Sequence, residues 1–391
     1  MIDVNKIYEG DALSILKTFP EKIFNTCVTS PPYYGLRAYG TNPVIWDGDE
    51  NCQHEFTEET KKGITGGACV LEGAGKAMTE ARYTPDTKHG FCSKCGAWRG
   101  ELGSEPTPEL FIKHLVDIFR EVRRTLRDDG TIWVNMGDSY ASSSKNTTGA
   151  NGYNDGRENR DKRFNAGKVD GLKPKDLIGV PWMLAFALRA DGWYLRMDNI
   201  WYKRNPMPES VTDRPTKAHE YFFLLSKSQK YYYDAEVIKT AVKDKTEYKT
   251  PDGWDTDKGS HGSFHKNGRE KGFKGYGHRG NGDQSLTGHS GNYDSDGNLI
   301  GEGKANKRSV WDVPTMPFKE AHFATFPQEL IVDCIKAGCP EGGLVLDPFG
   351  GANTTGVVSR KLNRNYVAIE LNPKYIAIGE KREYNEIGLF L

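Results

Sequence analysis

Apolar residues recur at helical spacing over Phe111, Leu115, Ile118, Phe119, Val122 and Leu126, which predicts an amphipathic helix. Asp129-Gly130 is expected to stop it, and Thr131–Asn135 reads as a strand. Upstream, Ile2–Leu16 reads as a short strand and the start of a helix, turning at Gly10-Asp11. The β-prone run Thr26–Thr29 ends abruptly at Ser30-Pro31-Pro32-Tyr33-Tyr34, because proline donates no ladder hydrogen bond. Leu177–Arg189 predicts a second amphipathic helix, and Tyr194–Tyr202 and Tyr221–Leu225 predict aromatic-rich strands. The C-terminal part predicts a helix at Gln328–Ala337 and a buried strand at Leu344–Leu346. A helix after Asn353, a strand at Tyr366–Ile369 and a helix from Pro373 follow. Strands alternating with helices predict a doubly wound α/β sheet.

Three stretches break this pattern. Asp47–Ser104 is rich in Gly, Thr and Glu and reads as an insertion. Ala141–Leu172 has almost no large apolar residue and reads as a loop. Lys239–Lys307 is dominated by Gly, Asp, Lys, Asn and His and reads as a second insertion.

With 391 residues, 37% of them hydrophobic, the chain can bury a substantial core. Its 53 basic and 53 acidic residues cancel, so any nucleic-acid face must be local. Ala141–Lys175 carries eight Lys/Arg against four Asp/Glu, which suits either a loop that orders on phosphates or a solvated one. No apolar run is long enough to span a bilayer and no signal peptide begins the chain. The expected compartment is the cytoplasm, with no membrane partner.

Leu344-Val345-Leu346-Asp347-Pro348-Phe349-Gly350-Gly351 is a strand running into a glycine turn. Glycines there let the backbone approach a ligand. Glu370 ends the next strand, 23 residues after Asp347, a spacing that suits a carboxylate accepting from ribose hydroxyls. The phosphate-binding pattern G-x-G-x-x-G does not follow this strand, where Asp347-Pro348 stands instead, so an acidic strand end suits a cationic, phosphate-free ligand better.

The Ser30-Pro31-Pro32-Tyr33 turn offers a different chemistry. The lone pair of an exocyclic amine is delocalised into its ring. Two acceptors aimed at its N–H groups favour the pyramidal form that frees the pair, and the Ser30 hydroxyl with the Pro31 carbonyl can supply them. Tyr33 offers a flat face for a base drawn from a duplex. The plainer reading is a Pro-Pro turn that closes a strand.

Four of the seven cysteines lie in Asp47–Ser104. Cys52-x-His54 and Cys92-x-x-Cys95 make a Cys3His set, with Gly96 suited to a tight knuckle turn. Tetrahedral zinc there would be structural, since four protein ligands leave no open position. His89 is an alternative to His54, and two unrelated thiol pairs are the alternative to a site. Cys27 reads as core.

Together these segments resemble the amino-methylating DNA methyltransferases, in the circularly permuted class with the catalytic motif ahead of the cofactor motif. The resemblance covers the chain up to Tyr34, Phe111–Asp138, Leu177–Asp234 and Ser309–Arg382. It implies a Rossmann-like S-adenosylmethionine methyltransferase sheet; it does not cover the two insertions, which are read as a zinc knuckle from the Cys/His spacing and as a target-recognition segment from its position. Residues 1–46, 105–238 (with loop 141–172) and 309–391 would form the methyltransferase domain. Residues 47–104 would bind zinc, and 239–308 would be flexible or read the target.

The catalytic residues implied are Ser30, Pro31, Pro32 and Tyr33. The cofactor residues implied are Asp11, Thr325, Pro327, Asp347, Phe349, Gly350, Gly351, Thr354 and Glu370. His322–Pro327 resembles the segment closing over the methionine moiety. The family usually has Ser-Gly-Thr-Thr after Gly351, where this chain has Ala352-Asn353-Thr354-Thr355; Asn tolerates the left-handed backbone such a turn needs.

The Ser-Pro-Pro-Tyr form is usually associated with N4 of cytosine, and Asp or Asn in the first position with N6 of adenine. The expected activity is therefore cytosine-N4 methylation of double-stranded DNA. Three alternatives stand beside it: the adenine enzyme, a catalytically silent zinc-containing DNA-binding protein, and an RNA or protein methyltransferase. A cognate restriction endonuclease is left open.

Overall fold

The computed structural model describes residues 2–35, 41–57, 59–61, 87–141, 169–206, 208–241, 292–293, 299–300, 304–316 and 326–388. Its main body holds an eight-stranded sheet. In chain order the strands are β1 (Lys6–Glu9), β2 (Phe24–Thr29), β3 (Leu126–Met136), β4 (Tyr194–Tyr202), β5 (His219–Ser226), β6 (Val310–Asp312), β7 (Leu344–Asp347) and β8 (Asn365–Glu370). Across the sheet they run β1-β8-β7-β2-β3-β5-β4-β6. The first five pair in parallel, β5 is antiparallel to both β3 and β4, and β6 is parallel to β4. The sheet is thus mixed, with helix-linked parallel strands on one side and the consecutive strands β4 and β5 on the other. Among the described residues between β4 and β5 there is no helix to carry a parallel crossover, and these strands pair as neighbours in opposite directions.

Among the described residues, six helices flank the sheet: α1 (Ala12–Thr18), α2 (Pro108–Thr125), α3 (Val180–Ala190), α4 (Gln328–Gly338), α5 (Thr354–Lys361) and α6 (Pro373–Ile387). Side chains alternate across a strand, and β3 shows where the helices lie. Ile132, Val134 and Met136 join the core of Phe111, Ile118 and Phe119 from α2 and Leu184 and Leu188 from α3. Thr131 points the other way, where with Thr26 it meets Gly338 at the end of α4; a Cβ on that glycine would lie 2.8 Å from either hydroxyl. Helices therefore cover both faces.

The sequence signals place most of these elements. Thr107 caps α2, accepting from Leu110 N at 3.2 Å, and Pro108 opens it. Asp129-Gly130 does not end α2 as the turn chemistry predicts. The helix stops at Thr125, and Leu126 already pairs with Phe24. The register then jumps to Thr131 opposite Thr26, so the turn-forming residues sit in a bulge inside β3.

A smaller four-stranded antiparallel sheet is built by 44–46, 98–100, 87–91 and 59–61, in that order. It begins just ahead of the expected insertion boundary at residue 47. Ile238–Lys307 forms a second compact unit, described here only by the two-residue strand pairs Thr240–Ala241 with Lys304–Ala305 and Asn292–Tyr293 with Leu299–Ile300. Among the described residues, no helix is long and apolar enough to cross a membrane.

Candidate active site and metal centre

The parallel strands end along one edge of the sheet, and the motif residues gather there, as in open α/β sheets generally. Thr29, the last residue of β2, is fully buried and its hydroxyl donates to Asp347 Oδ1 at 2.6 Å. That bond joins the Ser-Pro-Pro-Tyr turn to the glycine turn across 318 positions of sequence. Asp347 also accepts from Thr355 Oγ1 at 2.7 Å and from Phe349 N at 3.1 Å. Burial pushes its carboxyl above the ordinary range, and the two hydroxyls pull it part of the way back. Asp347 thus organises the loop and is already engaged by three protein donors.

The loop beyond it is shaped by backbone. Gly350 N donates to Ile369 O at 2.8 Å, and a side chain at Gly350 would press on Ala368. Gly351 (φ +50°) faces open space, and Asn353 takes the left-handed conformation (φ +58°) that this variant of the turn demands. Asn353 is buried and donates to Tyr366 Oη at 3.0 Å. Glu370 accepts from Gly351 N at 2.8 Å and Asn372 N at 2.7 Å and stays partly accessible; burial raises its carboxyl. Asp11 caps α1 through Ser14 N, and Gly10 N donates to Glu370 O.

Asp11, Glu370 and Gly351 therefore converge at the ends of β1, β8 and β7. Each carboxylate keeps lone pairs free for hydroxyl donors beside an open glycine. This set of acceptors fits a nucleoside carrying no phosphate. Thr354 faces elsewhere: it is buried and accepts from Arg382 Nη1 at 2.9 Å. Pro327 is buried at the start of α4. Thr325 lies outside the described residues.

On the other side of Thr29, Ser30 and Tyr33 meet groups that sequence reading did not single out as catalytic. Ser30 Oγ lies 3.4 Å from Asn135 Oδ1, and Tyr33 Oη lies 3.1 Å from the same atom and 2.8 Å from Glu220 Oε2. Asn135 donates to Glu220 Oε2 and to Tyr221 O, both at 3.1 Å. Lys203 pairs with the other Glu220 oxygen. Burial alone would raise the Glu220 carboxyl; the Lys203 ammonium overrides this and holds it below the ordinary range. Gly137 leaves the room the Tyr33 ring occupies, since a Cβ there would lie 2.6 Å from the ring. The signal that could have found these residues is polarity inside apolar strands: Asn135 in Thr-Ile-Trp-Val-Asn-Met, and Glu220 at the head of β5.

In the connections between strands of the smaller sheet, Cys52, His54, Cys92 and Cys95 come together with all ligand atoms within 4.8 Å of one another. Cys52 Sγ lies 3.9 Å from Cys92 Sγ, and Cys95 Sγ lies 3.3 Å from His54 Nδ1. Zinc–ligand bonds of about 2.3 Å to sulfur and about 2.0 Å to nitrogen at tetrahedral angles imply edges of about 3.8 and 3.5 Å. The Cys92–Cys95 knuckle closes through Gly96 N to Cys92 O at 2.9 Å, with Gly96 at φ +75°. The set can hold a metal. His89 is not part of it; its ring packs edge-on against Trp98.

Comparison with known proteins gives the family. The DNA methylase family matches residues 24–381. The type II methyltransferase M.SmaI of Serratia marcescens is 36% identical over 96% of this chain and 90% of its own length. M.Cfr9I of Citrobacter freundii is 37% identical over 97% and 88%. Among solved structures, the PvuII DNA methyltransferase (cytosine-N4-specific) shares the fold at a TM-score of 0.50 and 15% identity, over 96% of this chain and 85% of its own. The family match and these relatives make the chain an S-adenosylmethionine-dependent DNA methyltransferase. Within that class the chain belongs to the N6/N4 family of DNA methylases.

Proposed function

We propose that the chain methylates N4 of cytosine in double-stranded DNA, as the modification enzyme of a type II restriction–modification system. The observation that carries this reading is the 2.6 Å bond from Thr29 to Asp347, which sets the Ser-Pro-Pro-Tyr turn beside the glycine loop. Bound S-adenosylmethionine supplies an electrophilic methyl group on a sulfonium. Asp11, Glu370 and the Gly350-Gly351 backbone would hold the nucleoside end, with Phe349 packing beside them. The Ser30 hydroxyl and the Pro31 carbonyl accept from the target amine and hold its lone pair in line for transfer. Tyr33, fixed through its hydroxyl by Glu220 and Asn135, gives the extruded base a rigid stacking face.

A neutral serine at the head of the turn favours cytosine over adenine, because it accepts from the amine without placing a full charge beside the base. Mass spectrometry of nucleosides from DNA treated with enzyme and labelled cofactor is expected to show label in N4-methylcytosine. Label confined to N6-methyladenine would overturn the cytosine assignment.

The Cys52, His54, Cys92 and Cys95 set is proposed to hold one structural zinc, with the unit Ile238–Lys307 reading the target sequence. Purified protein is expected to contain one zinc per chain. The double variant Cys92→Ser, Cys95→Ser is expected to lose it and to exchange the amides of residues 87–100 faster with deuterium. Metal analysis that finds no zinc in protein prepared without chelators would rule the site out.

A further inference from the structure

The metal set and the catalytic turn are linked through one buried histidine. His114, on α2, is fully buried. Its ring is sandwiched between Trp46 and Trp98, with centroids at 4.6 and 5.5 Å and planes within 20° and 22° of parallel. Both tryptophans belong to the smaller sheet, and Trp98 follows Ala97, whose carbonyl accepts from Cys92 N at 2.7 Å. The two ring nitrogens face carboxylates from the opposite ends of the insertion: Nε2 lies 3.0 Å from Asp47, and Nδ1 lies 2.9 Å from Glu105.

From Glu105 the contacts lead to the catalytic turn. Its second oxygen accepts from Gly103 N at 2.7 Å, and Gly103 O accepts from Gly35 N at 2.8 Å. Gly103 lies flat beneath the turn, in the left-handed region (φ +90°), and a Cβ there would lie 2.9 Å from Tyr33 O. The knuckle, the aromatic sandwich, Glu105 and Gly103 form a continuous packed path that ends on the backbone of Tyr33.

We infer that His114 and Glu105 are positioning residues of methyl transfer, coupling the Cys3His knuckle to the placement of the Ser30–Tyr33 turn. The metal would thereby act on the reaction without touching substrate. A displacement of the turn by an ångström costs about 100-fold in rate, so a clamp that sets it matters to chemistry more than to cofactor binding. The inference rests on the proposed role of Ser30, and the test separates the two.

Single-turnover methylation of unmodified genomic DNA at saturating cofactor should be compared for wild type, Glu105→Ala, Glu105→Gln, Ser30→Ala and Cys92→Ser. Cofactor affinity by calorimetry and zinc content are measured alongside. Glu105→Ala is expected to lose at least about tenfold in rate, with cofactor affinity within twofold and zinc retained. Glu105→Gln is expected to keep more than half the rate. Its oxygen can take Gly103 N and its amide can donate to Nδ1, while Nε2–H serves Asp47. Cys92→Ser is expected to lose rate with unchanged cofactor affinity.

An unchanged rate in Glu105→Ala would overturn the inference, and so would rate and affinity falling in parallel. A Glu105→Gln loss equal to that of Glu105→Ala would also overturn it, as would a metal-free variant at full rate. A fully active Ser30→Ala would instead sink the reading of the catalytic turn.

Discussion

Ser30→Ala is expected to lower turnover by about two to three orders of magnitude while leaving cofactor affinity within a factor of two. Removing one preorganised hydrogen-bonding group aimed at the reacting centre costs about 10²–10³ in turnover. The structure explains why the loss should be so selective. The Ser30 side chain lies 3.4 Å from Asn135, whereas the carboxylates at the ends of β1 and β8 are held by Ser14 N and Gly351 N. When its proton points to Asn135 Oδ1, the serine oxygen presents lone pairs outward. Its bond to the amine strengthens as the nitrogen pyramidalises, so the effect should fall on the chemical step. Single-turnover kinetics with calorimetric cofactor titration measure both. A variant that binds cofactor tenfold more weakly but turns over normally when saturated would place Ser30 in the cofactor site instead.

The structure also shows which parts of this site could be read from residue order. The Ser-Pro-Pro-Tyr turn, the glycine loop, Glu370 and the Cys3His set are local strings, and each carries its chemistry within a few residues. Helices α2 and α4 were legible because amphipathic spacing and caps are local too. What was not legible depends on register. Asn135 reaches Ser30 because β3 pairs with β2, and Glu220 reaches Tyr33 because β5 pairs antiparallel with β3. Those contacts span 105 and 187 positions, and no periodicity encodes them. Rotation within a helix matters as well. Thr354 and Thr355 are neighbours, but successive helical residues point about 100° apart. Thr355 therefore meets Asp347 while Thr354 meets Arg382. Reading the Thr-Thr pair as a string could not tell which of them faces the loop.

Asp347 is where placement most changes the expected behaviour of a variant. As an acidic residue at a strand end, it reads as a cofactor ligand; in the structure it is a buried junction between Thr29, Thr355 and Phe349. Asp347→Ala strands the Thr29 hydroxyl and the Phe349 N–H, each at about 1–3 kcal/mol. Thr355 already has a second acceptor in Val28 O at 3.2 Å. Thermal unfolding should drop by several degrees, and cofactor affinity should fall because the loop loses its anchor. Asp347→Asn should behave differently. The amide oxygen can keep Thr29 and Phe349 N, and the amide N–H can donate to Thr355, whose own proton turns to Val28.

The sign of the pH effect separates the two forms of this side chain. Burial raises the Asp347 carboxyl above its ordinary value of 3.8, so its protonated form is favoured by folding. That contribution is fully present below the ordinary value and is lost as pH rises through the raised one. The amide in Asp347→Asn does not titrate and carries no such loss, so the unfolding temperature of that variant relative to wild type should climb as pH rises through that range. Glu370→Ala provides the contrast. Its carboxylate is partly accessible, and losing a charged acceptor for the nucleoside should weaken cofactor binding by about tenfold or more, with a smaller change in unfolding temperature. If Asp347→Asn folds normally but loses cofactor affinity as severely as Glu370→Ala, the carboxylate charge of Asp347 is used directly on the cofactor, and its role as an organiser of the loop is wrong.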